Sequence, residues 1–221
     1  MRLFLRNNGL SLVLLPLFFL GFLTGQTLTG RKEHNSEQQE HGAPPLSLAE
    51  YVKSSHFIEA TMENWESEFL QMFIYVTLTA FMFQKGSAES KDPDKKEKVD
   101  QDPRTVRITK ETPWPVKKGG IILRLYENSL SLAFLILFGI SFALHVWGGV
   151  KEYNNEREAH GQSKVTLTQF LGSSRLWFES FQNWQSEFLA IGSMVVLSIW
   201  LRQRGSPESK PVAAPHSQTG E

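Results

Sequence analysis

The chain has 221 residues, 41% hydrophobic, 12% aromatic and 21% charged, with 23 Lys and Arg against 23 Asp and Glu. Zero net charge gives no support to nucleic-acid binding, and the absence of cysteine excludes disulfides, thiolate metal sites, covalent haem attachment and cysteine nucleophiles. The averages match an ordinary soluble domain, but they hide a segregation. Uncharged apolar blocks alternate with stretches crowded with Lys, Glu, Asp, Gln and His, as a bilayer imposes on a chain.

In chain order, residues 10–28 hold no charge and residues 130–149 hold only His145, so each meets the roughly 20 apolar residues of a membrane helix. The first block follows Arg2 and Arg6, as a secretory signal would. No small-x-small cleavage site follows Leu23, however, and residues 130–149 repeat the block internally. Pro16 is expected to kink this first span. Two shorter apolar cores, 69–83 and 188–201, become spans over about 65–83 and 184–201 when extended backward. The extension covers Asn64-Trp65-Glu66-Ser67-Glu68 and Asn183-Trp184-Gln185-Ser186-Glu187, with a Trp at the interface and a Glu one turn inside it.

Shifted by about 120 positions, the chain aligns with itself. Leu3, Leu5, Asn8 and Leu10 fall on Leu123, Leu125, Asn128 and Leu130; Gly30, Asn35, Glu37, His41 and Gly42 meet Gly149, Asn154, Glu156, His160 and Gly161. Asn-Trp-x-Ser-Glu-Phe-Leu recurs at 64–70 and 183–189, and Gln-x-Gly-Ser-x-Glu-Ser-Lys at 84–91 and 203–210. The expected fold is therefore an all-α integral membrane protein with four transmembrane helices from two parallel two-helix repeats. Repeat 1 covers 1–91, a charged cytoplasmic linker 92–120, repeat 2 121–210 and a flexible tail 211–221, and the repeats are related by a pseudo-twofold axis along the membrane normal. Within the linker, 105–108 and Pro113-Trp114-Pro115 are expected either to pair briefly as a strand or to lie at the membrane surface. In the outer loops, Ser47-x-x-Glu50 and Thr166-x-x-Gln169 fit the capping box and predict a short interfacial helix after each.

Residues 1–8, 85–127 and the stretch from Arg202 carry 16 Lys and Arg, the two inter-helix loops 7; the acids run the other way, 10 against 13. Positive residues mark the cytoplasmic side, so both termini are expected inside a bacterial cytoplasmic (inner) membrane, with acidic outer loops.

At the repeated Asn-Trp-x-Ser-Glu-Phe-Leu and Gly-Ser-x-Glu-Ser-Lys segments, the sequence resembles an uncharacterised family of duplicated four-span bacterial membrane proteins, catalogued as a domain of unknown function. The resemblance covers nearly the whole chain and implies a bacterial cytoplasmic membrane protein. It transfers no activity and no catalytic residue.

Glu68 and Glu187 are the sharpest candidates, because a carboxylate within a membrane helix is costly unless paired, hydrated or protonated. With Asn64 and Asn183 one turn earlier they could line a polar pocket. The plainer alternative makes each Glu an interfacial group that sets helix depth, with Trp65 and Trp184 as interface anchors. Glu37-x-x-x-His41 and Glu156-x-x-x-His160 place an acid and an imidazole at i,i+4, and two such pairs offer a speculative four-ligand set for a divalent metal. Gly42 and Pro44-Pro45 argue for a solvated loop there, and no cofactor is otherwise evident.

Three functions fit these residues. The plain expectation is a structural or partner-binding membrane protein, whose partners are the bilayer and either a second copy or another membrane protein. The alternatives are a small cation-handling or permeation protein, with Glu68 and Glu187 lining the pocket, and a metal-dependent membrane enzyme. The last is least supported, since no nucleophile is in evidence.

Overall fold

The structure, a computed structural model, describes residues 2–220, and among them it is all-helical with no strand, including at 105–108. Helix α1 (Arg2–Pro16) runs through a π-helical segment, Leu17–Leu23, into α2 (Thr24–Glu40). Then follow α3 (Leu48–Tyr51), α4 (Ser55–Phe81), α5 (Trp114–Lys118), α6 (Gly120–Glu127), α7 (Ser129–Ala159), α8 (Leu167–Leu171) and α9 (Ser174–Leu197). The π-helical segment begins directly after Pro16, whose ring lacks an N–H and crowds the preceding turn, so the helix widens where the kink was expected. Thr24 Oγ1 donates to the Phe19 carbonyl five residues back, at 2.8 Å, and supports the wider turn.

Among the described residues, two helices are long and apolar enough to cross a membrane: the continuous run Leu3–Glu40, with mean hydropathy 1.7 over its apolar window, and α7, with 2.1. Helices α4 and α9, of 27 and 24 residues, cover most of the two shorter expected spans but end at Phe81 and Leu197, short of residues 83 and 201. The first half of α4 is acidic, with Glu59, Glu63, Glu66 and Glu68, and α9 carries Glu179 and Glu187.

The chain divides into two compact units, one of Met1–Glu63 with Phe142–Trp177 and the other of Asn64–Ser141 with Phe178–Glu221. In the first, corresponding residues of the two halves make corresponding contacts. Asn35 bonds the Leu46 backbone through both amide atoms, and Asn154 does the same to Val165. Both capping boxes form, at Ser47 with Glu50 and at Thr166 with Gln169, and they start α3 and α8. Gly30 lies under Tyr51 and Gly149 under Phe170, where an added Cβ would come within 2.3 Å of the Tyr51 hydroxyl oxygen and 2.8 Å of the Phe170 ring. Gly148 admits the α4 backbone, a Cβ there falling 2.8 Å from the Glu59 nitrogen. The apolar core of this unit is small: Val146, Phe170 and Leu176, with Phe142, Val150, Tyr153 and Val165 against them.

In the second unit the repeated Gly-Ser-x-Glu-Ser-Lys segments fold alike. Gln84 N–H donates to Ser90 Oγ and Gln203 N–H to Ser209 Oγ, at 2.8 and 2.9 Å, and Gly86 and Gly205 turn the chain at φ +88° and +84°. Residues 211–220, read from the sequence as a flexible tail, lie against the first of these turns. Gly86 N–H donates to Thr219 Oγ1 and Gly220 N–H to the Ser87 carbonyl. Lys210 is buried and its ammonium donates to the carbonyls of Gly86, His216 and Gln218; burial, and then the Arg202 charge, push it below the usual lysine range.

What is buried and what is exposed are inverted relative to a soluble domain. Leu10, Leu20 and Phe81 are each 76% exposed, while Glu66, His145 and Ser180 are fully buried. Among the described residues, buried polar side chains outnumber buried apolar ones.

Candidate functional site

Polar side chains gather in the interior of each unit. In the first, His34 comes from α2, His56 and Glu59 from α4, Glu152 from α7 and Arg175 from α9. Ser55 Oγ donates to Glu152 Oε2 at 2.7 Å, and Glu152 Oε1 lies 4.0 Å from His34 Nδ1. The His34 and His56 rings are 4.7 Å apart, and His56 Nδ1 shares a hydrogen bond of 3.1 Å with the Tyr51 hydroxyl. Burial, and then the charge of Glu152, push the Tyr51 phenol up. Arg175 grips both carboxylate oxygens of Glu156, reaches buried Glu59 at 3.7 Å and lies over the Tyr153 ring.

Burial, followed by the charge of neighbouring His34, pushes the His56 imidazole below its ordinary 6.5, while Glu152, Glu37 and Glu156 pull the other way. The folded chain therefore favours neutral His56. As pH falls through about 6.5, the unfolded chain takes up the proton first, so this contribution to stability is intact above that pH and is lost below it. Thermal unfolding of the full chain in detergent is expected to drop between about pH 7.5 and 5, and less steeply in His56→Gln. Equal slopes in the two proteins would refute the assignment.

Glu37, His41, Glu156 and His160 also lie in this unit. The exposed His41 and His160 rings meet, 6.0 Å apart. Glu156, however, spends its carboxylate on Arg175, and His160 Nδ1 lies 2.7 Å from the Glu156 backbone carbonyl. The two histidines come together, while Glu156 is turned to an ion pair. Elsewhere in the unit, Glu63 and His145 bring a carboxylate oxygen and an imidazole nitrogen within 4.8 Å. This is a His/Glu cluster of the donor types that zinc or iron accepts.

In the second unit the central group is Glu66. It is fully buried, and its Oε1 accepts from Ser180 Oγ at 2.8 Å and from the Trp184 indole N–H at 3.3 Å. Trp184, expected at the interface, thus turns its N–H to a carboxylate. Gln71 donates to the Glu187 carbonyl at 3.0 Å and ties α4 to α9 one turn further on. Glu187 is half-buried and Glu68 exposed, close enough for the two carboxylates to repel one another. Asn64 is exposed, Asn183 half-buried, and half-buried Trp65 packs edge-on against Phe69.

Glu66 was invisible to the repeat comparison because it occupies the unmatched position of Asn-Trp-x-Ser-Glu, where the second copy has Gln185. A different signal marks it: Glu59, Glu63 and Glu66 stand at i, i+4 and i+7, which places three carboxylates along one face of a helix.

These features define an all-helical protein with two helices able to cross a membrane and with carboxylates in its interior. The chain belongs to the family described as Domain of unknown function (DUF6766), which matches residues 1–221. It matches no curated protein and no solved structure.

Proposed function

We propose that the chain is a four-span protein of the bacterial cytoplasmic membrane, formed by duplication of a two-helix unit, and that it passes a proton or small monovalent cation by way of Glu66. The inverted burial supports the membrane setting, because apolar side chains facing lipid cost nothing there. The paired contacts of Asn35 and Asn154, and of the turns at 84–91 and 203–210, support the duplication.

The observation that carries the cation reading is the burial of the Glu66 carboxylate beneath a serine hydroxyl and an indole N–H. A carboxylate in an apolar span is expensive unless a proton, a cation or fixed donors offset the lost hydration, and intramembrane acids mark ion pathways. Anchoring suits exposed Glu68, but it gives no reason for a buried acid where the other half carries a neutral glutamine.

The test is flux in phosphatidylcholine vesicles loaded with a pH-sensitive or a sodium-sensitive dye. Wild-type vesicles are expected to dissipate an imposed gradient of one ion faster than empty vesicles, and Glu66→Gln, which keeps size and removes charge, to abolish the excess. Undiminished flux in Glu66→Gln, or no wild-type excess with either ion, would defeat the reading.

A further inference from the structure

Between α4 and α9, within the second unit, lies a slot of about 350 Å³ whose apolar walls include Leu78, Met82, Ile191 and Val195. Its acidic group is Glu89, which is not on a helix. The turn at Gly86 brings residue 89 back beside α4, where the Tyr75 hydroxyl donates to Glu89 Oε2. The other oxygen, Oε1, is shielded from solvent and accepts no hydrogen bond among the described residues, and no ion pair there involves Glu89. A buried acceptor left unmade is costly, and a carboxylate in that condition lacks a donor, above all a charged one.

The slot thus offers a long apolar surface and one unanswered negative charge. Its volume lies at the lower end of the roughly 300–1,000 Å³ of ligand pockets, a size for one chain and not for a two-chain lipid. We propose that it binds a single-chain cationic amphiphile, with an ammonium head on Glu89 and an alkyl chain along Leu78, Met82, Ile191 and Val195. Glu66 is not part of the slot, so this inference stands apart from the ion pathway.

Gly192 supplies a way to close the slot without disturbing its charge. It lines the slot, a Cβ at this position meets nothing within 4 Å, and the corresponding residue of the first half is Phe73. Gly192→Phe therefore fills the space with the side chain that the other half carries, and it removes a glycine from a helix interior.

The experiment is equilibrium dialysis of radiolabelled tetradecylammonium, whose head group carries three N–H donors, against the full chain in phosphatidylcholine nanodiscs. One saturable site per chain is expected above the partition into empty discs. Glu89→Gln and Gly192→Phe should each weaken binding at least about tenfold. Glu208→Gln, the corresponding acid outside the slot, should bind as wild type does, and tetradecanol should not compete. Absence of a saturable site, unchanged binding in Gly192→Phe, or equal competition by tetradecanol would each overturn the proposal. Should Glu89→Gln fail to fold, Gly192→Phe and the neutral competitor decide the matter between them.

Discussion

Arg175→Met is expected to destabilise the full chain by about 3 kcal/mol, or roughly 6–12 °C in Tm, because it strips the guanidinium from a carboxylate that is out of water. Glu59 is 6% exposed and meets Arg175 at 3.7 Å, whereas Glu156, the second partner, is exposed and contributes little. Met retains much of the apolar stem over Tyr153, so the loss reports charge more than packing. If that account holds, Glu59→Gln in the Arg175→Met background should recover part of the loss, since the amide leaves no buried charge behind. The measurement is thermal unfolding of the purified protein in detergent at neutral pH. A loss below about 1 kcal/mol, or no recovery in the double variant, would show that Glu59 does not depend on Arg175.

A second large effect, all or none, is expected from topology reporters. A reporter active only in the cytoplasm should work when fused after Gly86 or Gly205 and stay silent when fused after Gly42 or Gly161. All four glycines sit in turns with positive φ, from +67° to +88°: Gly42 and Gly161 directly after α2 and α7, Gly86 and Gly205 in the corresponding turns beyond α4 and α9. The expectation rests on the 16 to 7 partition of Lys and Arg. Cytoplasmic activity from the fusion after Gly42 would reverse the orientation, and activity at only one member of either pair would break the four-span reading.

Much of the local fold was legible because it depends on neighbouring residues. The Ser47 and Thr166 boxes start helices where they were placed, since a hydroxyl and an acid or amide three residues later satisfy free amides whatever surrounds them. The two turns closing on Lys91 and Lys210 share their bonds for the same reason. The interior was less legible. The two halves match at Glu68 and Glu187, whereas the buried acid, Glu66, stands where they differ. Arg175 likewise has no match, since the first half places His56 there, and only in three dimensions do His34, His56 and Glu152 come together. The folding of residues 211–220 was hidden as well, since it follows from one ammonium that finds three carbonyls far from it in character and partly far in sequence.

That ammonium has a counterpart. Lys91 ends the first turn as Lys210 ends the second, and it donates to the Ala80 carbonyl and to Asp100. Asp100 belongs to the segment 92–120, and two of the three acceptors of Lys210 belong to 211–220; neither segment is repeated in the other half. Halves that look interchangeable are thereby made distinct by the pieces that follow them. Exchanging 1–91 with 121–210 while 92–120 and 211–221 stay in place would hand each lysine the other's companions: Asp100 after Lys210, and the carbonyls of His216 and Gln218 after Lys91. The order of the halves along the chain is thus written into the bonding of two lysines.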